Sequence, residues 1–511
     1  MNKIVIIGII FLFVLMSFTT ISGNQLNNQI VKTSDRSNIL YVGGSGEGNY
    51  TTIQSAINHA NDGDTVFVFD DSSPYIETLW INKSIDLIGE NKDSTVIDGN
   101  NSGSCVNVNA DWINISGFTI QHCGYGFDDA GIIISSNYII ITGNKISSNN
   151  VNGLRLHWSI GSIIKDNKIS SNNEAGIYLH KSRNSIITGN NITSNDVGLS
   201  LHESRNNIIT GNNITNNDYS GIQTYRSDNI ITGNNLSNNG RGIYLTSSSD
   251  NIITGNNLSN NKNGIFLRDS SSSIITGNNI TNNKNGIYLT DSSNDNIISS
   301  NKLSNNEKGI YLVYTSDNNI FYHNNFINNT QNAHDECINS WDNGYPSGGN
   351  FWDDYNGTDI DGDGIGDIPY SIPGGYNKDR YPLIEPWNGN RPPYAPAIDG
   401  PTGVPPGTYE YKFKAIDPDG DNISYTIDWG DANSDETVFY KSGEVVTVSH
   451  TYSSRSCYII TAYAKDEHGL VGPEGTNSVE ISRDKSTNNM LFWRLIGQFP
   501  KLERLLFYFR A

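Results

Sequence analysis

Three histidines recur along the chain at nearly equal intervals, at His157, His180 and His202. Imidazole nitrogens bind transition metals, and they also contact the acidic groups of a glycan. A histidine that is merely solvated at a turn is the alternative interpretation for each position. Because the three occupy the same place in successive segments, we expect them to form one row on the surface.

Four aromatic residues recur in the same way, at Tyr244, Phe266, Tyr288 and Tyr311. Aromatic faces along a groove suit sugar rings, which indicates a polysaccharide ligand. The alternative is a ladder of rings that stack across neighbouring strands and stabilise the sheet. These four rings and the three histidines are the candidate ligand-binding residues.

Two carboxylates, Asp269 and Asp291, also stand one repeat apart. Their expected spacing is near the roughly 5–5.5 Å that separates the carboxyl groups of a retaining glycosidase. The sequence marks no further general acid, so no catalytic residue is assigned. A non-enzyme is therefore favoured over a polysaccharide lyase, hydrolase or epimerase.

An acidic loop lies further along the chain, with carboxylates at Asp359, Asp361, Asp363 and Asp367. Alternating oxygen ligands suit a hard cation, and Gly364 stands where a calcium loop turns sharply. These four residues are a candidate calcium site. Tyr370 replaces the glutamate that usually ends such a loop, which indicates modest affinity, and a plain Asp/Gly turn without an ion is the alternative.

The elements that position these side chains follow from a repeat of about 22 residues. The glycine that opens each copy stands at Gly131, Gly153, Gly176, Gly198, Gly221, Gly242, Gly264, Gly286 and Gly309. The asparagine after the second short strand stands at Asn144, Asn167, Asn190, Asn212, Asn234, Asn256, Asn278, Asn301 and Asn324. Copies in such regular register predict a stacked repeat architecture.

Each copy holds three short runs of β-type residues separated by Gly, Asn, Ser and Asp. Such a run cannot bury its apolar face alone, but stacked copies form one continuous core. The fold class is therefore all-β, a right-handed parallel β-helix, and the asparagines after the second strand are expected to face inward and bond to one another. Leucine-rich repeats have a similar period but need a helical segment that these copies lack.

A short helix is expected ahead of the repeat, because Ile53, Ala56, Ile57 and Ala60 share one helical face. It would cover the open end of the stack.

The composition and the first residues indicate an exported acidic protein. The 511 residues carry a formal net charge of −20, which argues against nucleic acid as a partner because phosphate binding needs clustered cations. Lys3 and the apolar run that follows it predict a signal peptide over residues 1–23, with an uncleaved membrane anchor as the alternative. Export permits disulfides, and Cys105 and Cys123 are the only cysteines close in sequence.

A second domain and a tail follow the repeat. Residues 391–483 begin with a proline-rich linker and continue as alternating short strands, which predicts an immunoglobulin-like β-sandwich with Trp429 in its core and a structural His450. Residues 484–511 are apolar and basic but too short and too charged to span a bilayer. The tail is expected to contact a membrane surface or to dock onto the body of the chain.

Several motifs resemble the NosD-like β-helix proteins of the pectin-lyase-like superfamily. The residues that carry the resemblance are Thr52-Ile-Gln-Ser-Ala-Ile57, the repeated Asn-x-Ile-x-x-Asn-x-x-Gly-Ile, and Asn350-Phe-Trp-Asp-Asp-Tyr355. The resemblance implies a β-helix over 38–345, a C-terminal cap over 346–390, and copper delivery during maturation of an exported reductase. Met490 is the only methionine after the expected signal peptide, so a methionine cluster suited to Cu(I) is not found in the sequence.

The second domain resembles a PKD-type domain, through Asp428-Trp-Gly-Asp431 and His450-Thr-Tyr452. The resemblance implies a spacer or adhesive module. Together these features predict an extracellular or cell-surface protein that binds polysaccharide or surface components. A polysaccharide-active enzyme and a NosD-type copper-handling accessory protein are the alternatives.

Overall fold

The computed structural model of the protein describes residues 38–345, 347–360, 362–390, 392–417 and 420–481. The expected signal peptide at 1–23 and the tail at 484–511 lie outside these ranges, as does Asp361. Within the described ranges, no helix is both long and apolar enough to cross a membrane.

The repeats form a parallel β-helix in which successive coils add strands to three sheets. Sheet 1 has 13 strands, Ile39–Val42, Thr65–Val68, Asp86–Gly89, Asn114–Ser116, Ile140–Thr142, Ile163–Lys165, Ile186–Thr188, Ile208–Thr210, Ile230–Thr232, Ile252–Thr254, Ile274–Thr276, Ile297–Ser299 and Ile320–Tyr322. Sheet 2 has 12 strands, Leu79–Ile81, Val106–Val108, Ala130–Ile134, Asn152–His157, Ala175–His180, Val197–His202, Ser220–Tyr225, Arg241–Thr246, Asn263–Arg268, Asn285–Thr290, Lys308–Leu312 and Gln331–Asp335. Sheet 3 has 13 strands, Tyr75–Ile76, Val96–Asp98, Thr119–Gln121, Lys145–Ser147, Lys168–Ser170, Asn191–Thr193, Asn213–Thr215, Asn235–Ser237, Asn257–Ser259, Asn279–Thr281, Lys302–Ser304, Asn325–Ile327 and Phe351–Trp352. The strands pair in parallel with their counterparts in the neighbouring coils, so the predicted parallel β-helix is confirmed.

The apolar residues of each coil point into the stack. Ile222, Ile231 and Leu236, one from each sheet, are fully buried and belong to a single core that runs along the β-helix. Each short strand thus gains its stability from the coils above and below it, as expected for a solenoid.

The opening glycines lie where the backbones of neighbouring coils approach closely. A Cβ atom on Gly264 would lie 2.5 Å from the carbonyl oxygen of Gly286 in the next coil, and a Cβ on Gly242 would lie 2.5 Å from that of Gly264. A side chain at this position would collide with backbone, which explains why glycine opens each copy.

The inward asparagine ladder is confirmed, and it has a direction. Asn212, Asn234 and Asn256 are each 1% exposed. Their backbone N–H and side-chain amide groups donate to Oδ1 of the asparagine in the following coil over 2.9–3.0 Å. The last asparagine, Asn350, donates its backbone N–H to Asp379 Oδ2 at 2.7 Å, so the ladder ends on a carboxylate.

Two different caps close the stack. The helix α1, Ile53–His59, buries Ile53, Ala56 and Ile57 against the first strands, which confirms the predicted N-terminal cover. At the other end, Trp341 and Trp352 are buried beneath an irregular segment that contains a hairpin of Tyr370–Ser371 and Lys378–Asp379.

Residues 397–481 form a separate β-sandwich, as predicted. One sheet contains Ala397–Asp399, Gly407–Lys414 and Val446–Tyr452, and the other contains Gly403–Val404, Ile423–Asp428, Ser434–Glu436, Cys457–Asp466 and Gly475–Ile481. Trp429 is fully buried, and the His450 ring stacks on it with centroids 4.5 Å apart. His450 Nε2 lies 2.9 Å from Asp431 Oδ2, so its structural role is also confirmed.

The pair of cysteines considered for a disulfide does not form one. Cys105 and Cys123 are both buried free thiols. Burial raises the pKa of each thiol, which keeps both in the protonated form at neutral pH.

Candidate functional site

Sheet 2 presents two rows of side chains outward because successive residues of a strand point to opposite faces. In the strand Arg241–Thr246, Ile243 and Leu245 point into the core. The second and fourth residues after each opening glycine therefore point outward. The four aromatic residues predicted to bind a ligand belong to the first of these rows, and the three histidines to the second.

The aromatic row forms a stacked ladder. Tyr244 and Phe266 stack with centroids 5.0 Å apart and planes 9° apart, and Phe266 and Tyr288 stack at 4.8 Å and 11°. The centroid of the Tyr311 ring lies 5.3 Å from that of Tyr288 and 5.2 Å from that of His334, so the ladder continues through both rings. Each inner ring therefore has a neighbouring ring against both of its faces.

The ladder is also covered from the side. The guanidinium of Arg241 lies 4.7 Å from the Tyr244 centroid and 5.3 Å from that of Phe266. Tyr244 and Phe266 are only 5% and 8% exposed. The faces of these two rings are therefore covered, as cross-strand stacking would have them, and ligand binding by Tyr244, Phe266, Tyr288 and Tyr311 stays a prediction.

The histidine row is more open than the ladder. The rings of His157 and His180 meet edge to face at 5.2 Å, His180 and His202 stack at 5.2 Å, and Tyr225 continues the row 4.6 Å beyond. All four side chains are half-buried. This row thus offers ring edges and polar atoms to solvent over four successive coils.

Burial lowers the pKa of His157, His180 and His202, and nearby cations add to this effect, although Glu203 opposes it at His202. The imidazoles are therefore neutral at pH 7. A neutral imidazole has one N–H donor and one nitrogen acceptor, which suits hydrogen bonds with hydroxyl groups.

The three histidines do not converge on one point. The planes of His180 and His202 are 18° apart, and the nitrogen lone pairs lie in these planes, so the two rings direct them side by side. Among the described residues, the carboxylate and imidazole atoms close enough to hold an ion lie in the β-sandwich, at Asp417, Asp421, Asp466, Glu467 and His468. The row therefore suits hydrogen bonding better than chelation.

The carboxylates near the row tie coils together. Asp269 Oδ2 accepts a hydrogen bond from Ser247 Oγ at 2.9 Å, and Asp291 Oδ2 accepts one from Arg268 Nε at 2.9 Å. Both partners lie one coil earlier. No catalytic role is assigned to either carboxylate.

The acidic loop is closed by its own backbone. Asp359 accepts the N–H groups of Gly362 at 2.7 Å and Gly364 at 3.0 Å, and Asp367 Oδ2 accepts that of Ile360 at 2.9 Å. Asp363 Oδ1 similarly accepts an N–H two residues on. Because Asp361 lies outside the described residues, a calcium site at Asp359, Asp361, Asp363 and Asp367 stays a prediction.

The turns that directly follow the strands of sheet 2 line one side of the rod, here called the strand-end edge. Its first coils expose aromatic rings, with Trp112 stacked on Tyr138 at 4.3 Å. Trp158, in the next coil, is 61% exposed, and the ammonium of Lys181 lies 4.9 Å from its ring centroid. Aromatic surface is therefore continuous with charged groups on this edge.

Charged residues follow these rings along the strand-end edge. Glu203 lies between two cations, 3.6 Å from Lys181 and 3.9 Å from Arg226. The Arg226 guanidinium in turn lies 5.0 Å from the ring centroid of Tyr225 in the histidine row. The histidine row and the strand-end edge thus form one continuous surface.

A projecting loop borders the same face. The buried Arg155 holds residues 124–129 against sheet 2, because its guanidinium donates to Phe127 O at 3.2 Å and pairs with Asp128 at 2.6 Å. Tyr125 and Phe127 in this loop are exposed.

The sequence interpretation missed both the loop and the strand-end edge. Eight residues, 122–129, separate two strands here, whereas four, 216–219, separate the equivalent strands Asn213–Thr215 and Ser220–Tyr225. This longer connection was the available signal for the loop. For the edge, the signal was the fifth residue after each opening glycine, which is Trp158 or Lys181 in successive copies.

Three protein families match successive parts of the chain. Residues 104–252 match the right handed beta helix region, residues 222–357 match the periplasmic copper-binding protein (NosD), and residues 396–479 match the PKD domain. No curated protein matches the chain.

Solved structures resemble the two folded parts. The PKD domain of an M14-like peptidase from a Thermoplasmatales archaeon is 41% identical over 19% of this chain and 100% of that domain, with a TM-score of 0.18. The A-module of a mannuronan C-5 epimerase from Azotobacter vinelandii is 15% identical over 56% of this chain and 94% of its own, with a TM-score of 0.46. A lidless DFA-IIIase from Arthrobacter chlorophenolicus is 13% identical over 62% and 94%, with a TM-score of 0.41. At these values the last two say nothing about the activity of this chain.

Neither the pair Cys105 and Cys123 nor the histidine row fits the copper site that the NosD description implies. Cys105 and Cys123 are buried as thiols, and the imidazoles of the histidine row do not converge. The family matches and the parallel coils nevertheless agree along the β-helix, and the sandwich agrees with the third match. The chain is therefore a right-handed β-helix protein with a C-terminal PKD domain, and residues 222–357 of its β-helix resemble NosD.

Proposed function

We propose that this chain is an exported cell-surface protein that binds an extended polysaccharide along the histidine row and the part of the strand-end edge that borders it, from Trp158 to Asp228. The observation that carries the proposal is Trp158, whose ring is 61% exposed beside the half-buried imidazoles of His157 and His180. An open aromatic face next to neutral hydrogen-bonding groups suits a sugar ring, which has apolar and hydroxyl surfaces.

The domain composition supports a surface location. A β-helix joined to a PKD domain fits a surface protein, and the PKD domain would act as a spacer or adhesive module. The expected signal peptide at residues 1–23 agrees with export.

The contacts of the carboxylates favour binding over turnover. Asp269 and Asp291 bond to the preceding coil, and Glu203 lies between two cations. A glycosidase needs one carboxyl group free to donate a proton to the leaving oxygen. These contacts instead give the carboxylates structural partners.

The test compares Trp158→Ala with Tyr314→Ala on an array of polysaccharides. Both residues are the fifth after their opening glycine, and Tyr314 is 69% exposed, but it lies seven coils away from Trp158. Loss of the Trp158 ring should weaken binding about tenfold, since a lost aromatic contact costs roughly 1 kcal/mol or more. Tyr314→Ala should bind like the wild type.

Equal effects of the two substitutions, or binding to no polysaccharide, would contradict the proposal. Reducing-end or unsaturated product released from any bound polymer would show that the protein is an enzyme instead.

A further inference from the structure

We propose that the polysaccharide is acidic and that its anionic groups lie along the strand-end edge over residues 181–228. The inference rests on the proposed function and adds the chemical class of the ligand. It is drawn from the distribution of charge around sheet 2.

The strand-end edge is basic over three coils of an acidic chain. Its turns 181–185, 203–207 and 226–229 carry the cations Lys181, Arg183, Arg205 and Arg226, against the anions Glu203 and Asp228. Four positive and two negative charges leave this stretch at +2, whereas the whole chain is at −20. A local surface of positive charge on an otherwise negative protein attracts anions to this place and repels cations.

The same edge is acidic further along the rod. The turns after the next four strands carry Asp250, Asp269, Asp291, Asp295 and Asp317, and Arg268, which ends one of these strands, pairs with Asp291. An acidic polymer that lies along the basic turns would therefore be repelled beyond Gly242. The charge pattern sets one end of the bound segment.

Carboxylates on the opposite side of sheet 2 set the lateral position of the bound polymer. The turns before the strands in the same coils carry Glu174, Asp196 and Asp218, all exposed. These carboxylates repel an anionic chain toward the strand ends, where the histidine row and Trp158 lie. The polymer should thus run parallel to the rod axis, with its acidic groups toward Lys181 and Arg226.

Lys181 and Arg226 share the single carboxylate of Glu203, which leaves net positive charge to face a carboxylate or sulfate group. Lys181 lies against the Trp158 ring and Arg226 against the Tyr225 ring, so each is held beside a surface that packs against sugar. Neighbouring coils lie about 4.8 Å apart, so Lys181 and Arg226 are separated by about 10 Å along the axis. Arginine also binds planar oxyanions through two parallel N–H bonds.

The experiment measures the affinity of the full chain for matched polymers by affinity electrophoresis. The probes are polygalacturonate and polymannuronate, each beside its carboxyl-reduced form, which has the same backbone without the charge. Wild-type protein should bind at least one acidic polymer about tenfold more tightly than its reduced form, and the preference should shrink with added salt.

Three variants locate the effect. The double variant Lys181→Gln/Arg226→Gln should lose about tenfold in affinity for the acidic polymer. Lys262→Gln/Lys284→Gln removes the same charge from exposed turns that precede strands of sheet 2, and it should bind like the wild type. Glu203→Gln removes the anion between the two cations and should raise the affinity about threefold.

The outcomes separate this inference from the proposed function. If acidic and carboxyl-reduced polymers bind equally well, the proposal that the ligand is acidic is wrong. The same conclusion follows if Lys181→Gln/Arg226→Gln and Lys262→Gln/Lys284→Gln lose affinity equally. Either result would leave the proposal of polysaccharide binding standing. Failure to bind any polymer, charged or neutral, would overturn both.

Discussion

Neighbouring asparagines of one coil have opposite surroundings. Asn256 is buried, donates to Ile231 O and Asn278 Oδ1, and accepts from Asn234. Asn257 is exposed and bonds to Asn235 on the outer face of sheet 3. The two positions share a residue type, so they separate the effect of burial from that of the amide group.

We predict that Asn256→Ala lowers the free energy of unfolding by roughly 3 kcal/mol, because it removes the Oδ1 acceptor of the buried Asn234 N–H and leaves that group in the core without this partner. Asn257→Ala should cost less than about 0.5 kcal/mol, since its two exposed bonds, to Asn235 and from Asn279, are replaced by bonds to water. Urea unfolding followed by circular dichroism measures both values. Similar costs would mean that the inner ladder contributes no more than the outer one.

The inward asparagines could be predicted because their register follows from the sequence alone. The burial of the aromatic ladder could not, because the group that covers Tyr244 and Phe266 is Arg241, whose own row contains no other arginine. Whether an outward ring is open depends on the length and direction of side chains in the adjacent row. A repeat of 22 residues does not specify these.

The spacing of the coils depends on two kinds of glycine. Gly264 lies under the next coil, where a Cβ atom would be 2.5 Å from Gly286 O. Gly255, in the coil before, has a positive φ of 63° but open space around it, with the nearest atom 3.9 Å from its Cβ position. The first glycine is required by contact between coils and the second by the conformation of its own turn.

We predict that Gly264→Ala destabilises the β-helix by about 3 kcal/mol, because the backbone of the next coil must move to admit the methyl group. Gly255→Ala should cost about 1 kcal/mol, the strain of a left-handed conformation. Melting temperatures of the two variants show which substitution destabilises the β-helix more. A larger loss for Gly255→Ala would show that turn conformation, rather than coil contact, limits the stack.

At the level of elements, the three strands per coil and the capping helix were predictable from hydrophobic spacing and turn residues. The 124–129 loop was not, because it interrupts the repeat once and is held by contacts that occur once, to Arg155 and to the Gly103 carbonyl. An irregular segment has no second copy to reveal its role. The same holds for the C-terminal cap, where Asp379 accepts a hydrogen bond from Asn350 although the two residues are 29 positions apart in the sequence.

The β-helix and the β-sandwich have separate cores, one around the stacked coils and one around Trp429 and Tyr411. We predict two unfolding transitions in calorimetry. Trp429→Ala should lower the temperature of one transition by removing about 3–5 kcal/mol of packing, and Asn256→Ala should lower that of the other. A single transition shifted by both variants would show that the two parts unfold as one unit.

The direction of the asparagine ladder bears on how long such a rod can be. From Asn144 to Asn350 each seam between coils joins the same donors to the same acceptor, and the last asparagine donates to the carboxylate of Asp379. Loss of residues 242–263 would join Arg241 to Gly264 and bring Asn234 against Asn278, with both caps unchanged. The reach of the molecule can therefore change by whole coils of about 4.8 Å, and a gene that duplicates or deletes one such segment alters length without a new core.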